Sequence, residues 1–156
     1  MLKPATTWMD DLPRDRLIAE YSIWSADLLR LADELARIES HADVLHLDVA
    51  DGHFAPALLF FPDLVAAIRR ASAKPIHVHL MVADEVLLSQ AEQFADAGAD
   101  LISVHAENGT AADRALDLIE SRGIVPGLVL KVETPVSAAA RFLDRVRFLT
   151  LLGTPI

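Results

Sequence analysis

Residues 44–54 read VLHLDVADGHF, an apolar run broken by His46 and Asp48, with Asp51, Gly52 and His53 following at once. Side chains alternate along a β-strand, so His46 and Asp48 face one side while Leu45, Leu47 and Val49 face the other. The same parity recurs in PIHVHLMV, residues 75–82, where His77, His79 and Met81 oppose Ile76, Val78 and Leu80. Two neighbouring strands therefore send polar groups to a common interior and apolar groups towards covering helices.

Working outward, short apolar runs alternate with segments of helical period. Strands are expected over 21–25, 44–49, 76–81, 101–105, 125–130 and 148–152, with helices over 28–39, 63–71, 84–97, 111–122 and 135–145. Gly98 and Gly123 stand where a glycine ends a helix, and Pro62 and Pro135 where a proline starts one. A βαβα alternation implies a parallel sheet. A dinucleotide-binding fold would want G-x-G-x-x-G after the first strand, and SIWSAD has no glycine. Polar side chains at the C-terminal ends of several strands (Asp48, His79, His105) instead suit a (β/α)8 TIM barrel. The fold class is α/β, with about six of the eight β/α units of such a barrel present. Residues 1–20 are expected to form a helical N-terminal extension around DDLPRDRLIAEY, and residues 21–156 an incomplete barrel domain.

The net charge of −9 argues against nucleic acid or an anionic membrane as a partner. With no cysteine, disulfides and thiolate metal sites are excluded. No apolar run approaches a transmembrane helix, and the N-terminal residues lack the apolar core of a signal peptide. A cytoplasmic protein is expected.

His46, Asp48 and His79 offer two imidazoles and a carboxylate from adjacent strands, a donor set suited to Zn²⁺, Mn²⁺ or Fe²⁺. A lone buried histidine is more often a hydrogen-bonded core residue. Repetition of the pattern on two strands favours ligation. His77, one step deeper, is expected to be structural, His53 to lie in a solvated loop, and Met81 to pack.

SIWSADLLRLADEL, ADVLHLDVADGHFAP, PIHVHLMV and FADAGADLISVHAE, with a weaker match through GIVPGLVLKVETP, together resemble the ribulose-phosphate 3-epimerase family. The chain looks like a divergent member that stops after its sixth strand. The resemblance implies an isomerase of carbohydrate metabolism, metal-dependent, epimerising C3 of ribulose 5-phosphate or a related phosphorylated ketose. Two-base proton transfer through an enediolate would carry the reaction. Residue by residue, His46, Asp48 and His79 match metal ligands, and Asp48 also matches one of two catalytic aspartates. Ser22 matches a serine that contacts substrate, with His79 and Met81 expected beside it. The second catalytic aspartate and the glycine-rich phosphate loops belong to strands expected beyond Ile156. The expected partner is a small phosphorylated sugar, with self-association into a homo-oligomer as a further expectation.

Departures cluster at the expected barrel mouth. Ala50 stands where the family has methionine and Ala57 where it has asparagine. Thr150 lies near a methionine position, followed by Gly153, Thr154 and Pro155 where a glycine-rich loop begins. Trp24 is bulky at inward parity, and Lys131 replaces an asparagine. They suggest a paralogue acting on a different phosphorylated ketose. Alternatives are a non-catalytic or incomplete barrel fragment, and a phosphosugar decarboxylase or isomerase on the same barrel. A decarboxylase would favour D-x-K-x-x-D, and strand two has no lysine between its acids.

Overall fold

A computed structural model describes residues 4, 5 and 7–156. The expected parallel half-barrel is present. Strands β1 (Glu20–Ser22), β2 (Val44–Asp51), β4 (Ile76–Met81), β5 (Leu101–His105), β6 (Val125–Leu130) and β7 (Phe148–Leu151) run parallel in the order β1-β2-β4-β5-β6-β7. A two-residue strand, β3 (Leu58–Leu59), pairs antiparallel with β2. Helices α1 (Leu31–Ile38), α2 (Pro62–Ala71), α3 (Asp84–Ala97) and α4 (Gly109–Ser121) alternate with the strands.

Strands β4, β5 and β6 are buried along their whole length, as continuous apolar runs of a parallel sheet should be. Their outward residues, among them Val78, Leu80, Ile102, Val104 and Leu128, join Leu87, Ala91 and Phe94 of α3 and Ala112, Leu116 and Ile119 of α4 in the main core. Gly98 stops α3 at φ 104°, and a Cβ there would approach Arg69 Cγ to 2.9 Å. Arg69 is fully buried and reaches Asp100 at 2.7 Å, where Asp100 also accepts the Ile76 N–H. This pair ties α2 to the start of β4.

Some elements differ from the sequence reading. The strand expected over 21–25 ends at Ser22, because Ser22 Oγ accepts the Trp24 N–H and turns the chain into a 3-10 turn over Ile23–Ser25. Trp24 is consequently half-exposed, not inward. The helix expected over 28–39 is a 3-10 turn followed by α1, and that over 135–145 is a 3-10 helix, Val136–Phe142. Residues 1–3 and 6 of the expected N-terminal extension lie outside the described residues; residues 7–11 form turns, and the stretch expected to be helical, DDLPRDRLIAEY, runs on through bends and irregular chain into β1. Trp8 from these turns packs with Val44, Leu101 and Val125 beneath the sheet's inner face, with Phe148 beside them. These contacts form an apolar floor at the N-terminal ends of the strands.

Candidate active site

Register brings the polar residues together. His46 lies beside His77, and Asp48 beside His79, across β2 and β4. His79 then lies beside Ser103 of β5, and Ser22 of β1 beside His46. The inner face thus carries an apolar floor, a polar middle, and a rim where Ala50 and Met81 pack with Ala55 and Phe54.

Asp48 is the hub, only 8% exposed. Its Oδ1 lies 2.9 Å from His46 Nε2 and 3.1 Å from His79 Nδ1, while its Oδ2 accepts the Ser22 hydroxyl at 2.9 Å. Burial opposes charge on Asp48, but its contacts with the His46 and His79 rings prevail and hold the carboxyl well below its usual range. Burial likewise opposes charge on His46. Its bonds to Asp48 and Glu20 outweigh that and raise it to about 9.

A second chain of contacts fixes the protons on His79. His105 Nδ1 lies 3.0 Å from Glu107 Oε2, so this nitrogen donates to the carboxylate. Burial, with His79 adjacent, lowers His105 to about 4 and keeps it neutral, so its Nε2 accepts. The partner at 2.8 Å is His79 Nε2, which therefore donates. The remaining nitrogen of His79, Nδ1, faces Asp48 Oδ1. In a neutral ring it presents a lone pair to an anionic oxygen, an arrangement that calls for a proton or a cation between them.

That donor set fits a divalent metal. One ligand atom from each of His46, Asp48 and His79 lies within 4.8 Å of the others, and His₂–carboxylate sets hold such ions. The three residues expected to ligate are thus brought together. Ser22 is on the same carboxylate. Met81 is one layer above, 1% exposed in the apolar rim, and makes no polar contact. His53 is exposed in the loop after β2. His77 is buried between Glu20 at 2.5 Å and Ser103 at 2.7 Å. Lys131 sits 3.9 Å over the Phe54 ring. An apolar cavity of about 350 Å³ opens below Glu20 and His77, on the floor side and away from Asp48.

Glu20, Ser103 and Glu107 escaped the sequence reading. Glu20 precedes Ser22 by two and shares its parity, the one local signal that could have found it.

A sequence profile described as the Ribulose-phosphate 3 epimerase family matches residues 18–155. The chain is 39% identical over 132 residues to Ribulose-phosphate 3-epimerase of Bacillus subtilis, covering 84% of this chain and 60% of that protein. It is 42% identical over 133 residues to Ribulose-phosphate 3-epimerase 2 of Cupriavidus necator, covering 85% and 54%. It is 32% identical over 152 residues to the chloroplastic enzyme of Arabidopsis thaliana, covering 96% and 53%. The chain spans between 53% and 60% of the length of these relatives. Among solved structures, muconate lactonizing enzyme from Pseudomonas putida superposes with TM-score 0.61 at 16% identity, covering 91% of this chain and 39% of that one. A sugar phosphate isomerase/epimerase from Parabacteroides distasonis gives TM-score 0.57 at 12% identity, covering 88% and 67%. These two share the fold. Among the described residues no helix is long and apolar enough to cross a membrane.

Proposed function

The chain belongs to the ribulose-phosphate 3-epimerase family, and on that premise we propose that its site epimerises C3 of a phosphorylated ketose, ribulose 5-phosphate or a close relative. The observation that carries the reading is the convergence of His46, Asp48 and His79 on one point, with Ser22 on the same carboxylate.

In this reading Asp48 is the base on one face of the substrate. Its contacts with His46 and His79 hold it in the ionised form that a base requires, at the expense of proton affinity. His46 and His79 hold Asp48 Oδ1 in place, and Ser22 fixes the second oxygen. Ser22 and His79 line the substrate's approach, and Met81 forms an apolar wall above it. His46, Asp48 and His79 would hold the divalent metal. Bound there, it would supply Lewis-acid stabilisation of the negative charge that grows on the enediolate oxygens, worth several kcal/mol. Inversion needs an acid on the opposite face. Among the described residues, no other carboxylate shares Asp48's row of the inner face, which runs on through His79, Ser103, Gly127 and Phe148; Glu107, after β5, is engaged by His105, Lys131 and Thr134.

Proton abstraction and inversion can be measured apart. Ribulose 5-phosphate incubated with the metal-supplemented chain in D₂O is expected to exchange its C3 proton, followed by NMR. Asp48→Asn should slow that exchange by roughly 10²–10⁴-fold. Exchange unaffected by the substitution would refute the role given to Asp48.

A further inference from the structure

Glu20 is outside the residues assigned to substrate or metal, yet its Oε1 stands 2.7 Å from His46 Nδ1 and 2.5 Å from His77 Nδ1. One carboxylate oxygen thus receives both Nδ1 atoms at hydrogen-bond distance. A carboxylate can only accept, so both rings donate from Nδ1. His77 is then left to accept at Nε2, and the Ser103 hydroxyl supplies the hydrogen at 2.7 Å. For His46 the consequence concerns the other nitrogen. With Nδ1 committed to Glu20, Nε2 is the atom on the Asp48 side that gives up its proton when a cation binds there.

Resting on the metal site proposed above, we infer that Glu20 is a positioning residue: it holds the Nδ1 proton of His46, so that the Nε2 lone pair faces the cation shared with Asp48 and His79. A carboxylate behind a metal-bound imidazole fixes ring orientation and tautomer, and its loss generally weakens metal binding 10–100-fold.

Glu20, His46 and His77 form a second trio within 4.8 Å, which raises the possibility that they hold a cation themselves. Two facts weigh against it. Donor atoms on one tetrahedral ion, with bonds of about 2.0–2.1 Å, lie ~3.3 Å apart. The Glu20 contacts, at 2.5 and 2.7 Å, are hydrogen-bond distances, whereas those on Asp48 Oδ1 are 2.9 and 3.1 Å. A neutral imidazole also has a single lone pair, so His46 serves one of the two sites at a time.

The test is Zn²⁺ or Mn²⁺ binding to the purified chain by chelator competition, with NMR of the His46 ring protons. Wild type is expected to bind one equivalent and to show a downfield Nδ1 proton on His46. Glu20→Ala should weaken binding 10–100-fold and lose that proton. Glu20→Gln, which keeps the side chain's size and one acceptor, should fall between and guards against simple misfolding of the alanine variant. Wild-type binding with unchanged affinity and Nδ1 proton in both variants overturns the inference alone. No binding by wild type removes the metal reading, and the inference with it. Two equivalents, one of them lost in His77→Gln, would overturn it in favour of a second cation site.

Discussion

At the residue scale, much of the motif in residues 44–54 serves geometry. Asp51 accepts the N–H groups of His53 and Phe54 with one oxygen and of Ala83 with the other, pinning the loop after β2 to the loop after β4. Gly52 follows at φ 76°, where a side chain would be strained. Only His46 and Asp48 point into the site. Gly127 has an equally specific reason. A Cβ there would stand 2.1 Å from Ser103 Oγ, the atom that bonds His77. Gly127→Ala is therefore expected to cost about 1–3 kcal/mol in urea unfolding, through overpacking and displacement of Ser103. A stability equal to wild type would show that Ser103 turns away freely. His46, Asp48 and His79 were legible from strand parity alone, because period two is a local property. Glu20 was not, because its partners lie 26 and 57 positions away. Gly127 was not, because its reason is a neighbour on β5.

At the element scale, β4, β5 and β6 were read to the residue from their apolar runs, whereas β1 was not. Three residues at a sheet edge carry little pattern, and the Ser22 cap overrides it. Side-chain bonding reinforces the short backbone ladder between β1 and β2. Arg16 forks onto both oxygens of Asp43 at 2.7 Å, and Asp43 also accepts the Ala19 N–H. The Arg16 bond, joined by the Ala19 N–H, lowers Asp43 from 3.8 to about 2. The folded carboxyl is thus the stronger acid. Its stabilisation is complete above about pH 4 and is lost as pH falls towards 2. Asp43→Asn should accordingly be less stable than wild type at neutral pH, with the gap closing below about pH 2. Denaturant titrations across that range measure it. A gap independent of pH would mean that the pair's charge contributes nothing.

At the scale of the whole molecule, the sheet is a barrel wall. Among the described residues β1 and β7 each pair with one neighbour only, and Leu151 on β7 is 56% exposed. Unpaired strand edges template association. The 17.0 kDa chain is expected to show a solution mass that rises with concentration by light scattering. Leu151→Lys should return it towards the monomer. A monomer at every concentration would show that both edges are adequately shielded. The apolar floor beneath the inner face has a temporal consequence. Trp8 is buried against β2, β5 and β6, and Asp10 meets Arg147 at 3.0 Å, 137 positions along the chain. Contacts of such sequence separation carry a large loop-closure entropy and form slowly. During synthesis Trp8 must wait for most of the chain before its surroundings exist. Its fluorescence, distinct from that of half-exposed Trp24, would mark the final event of folding.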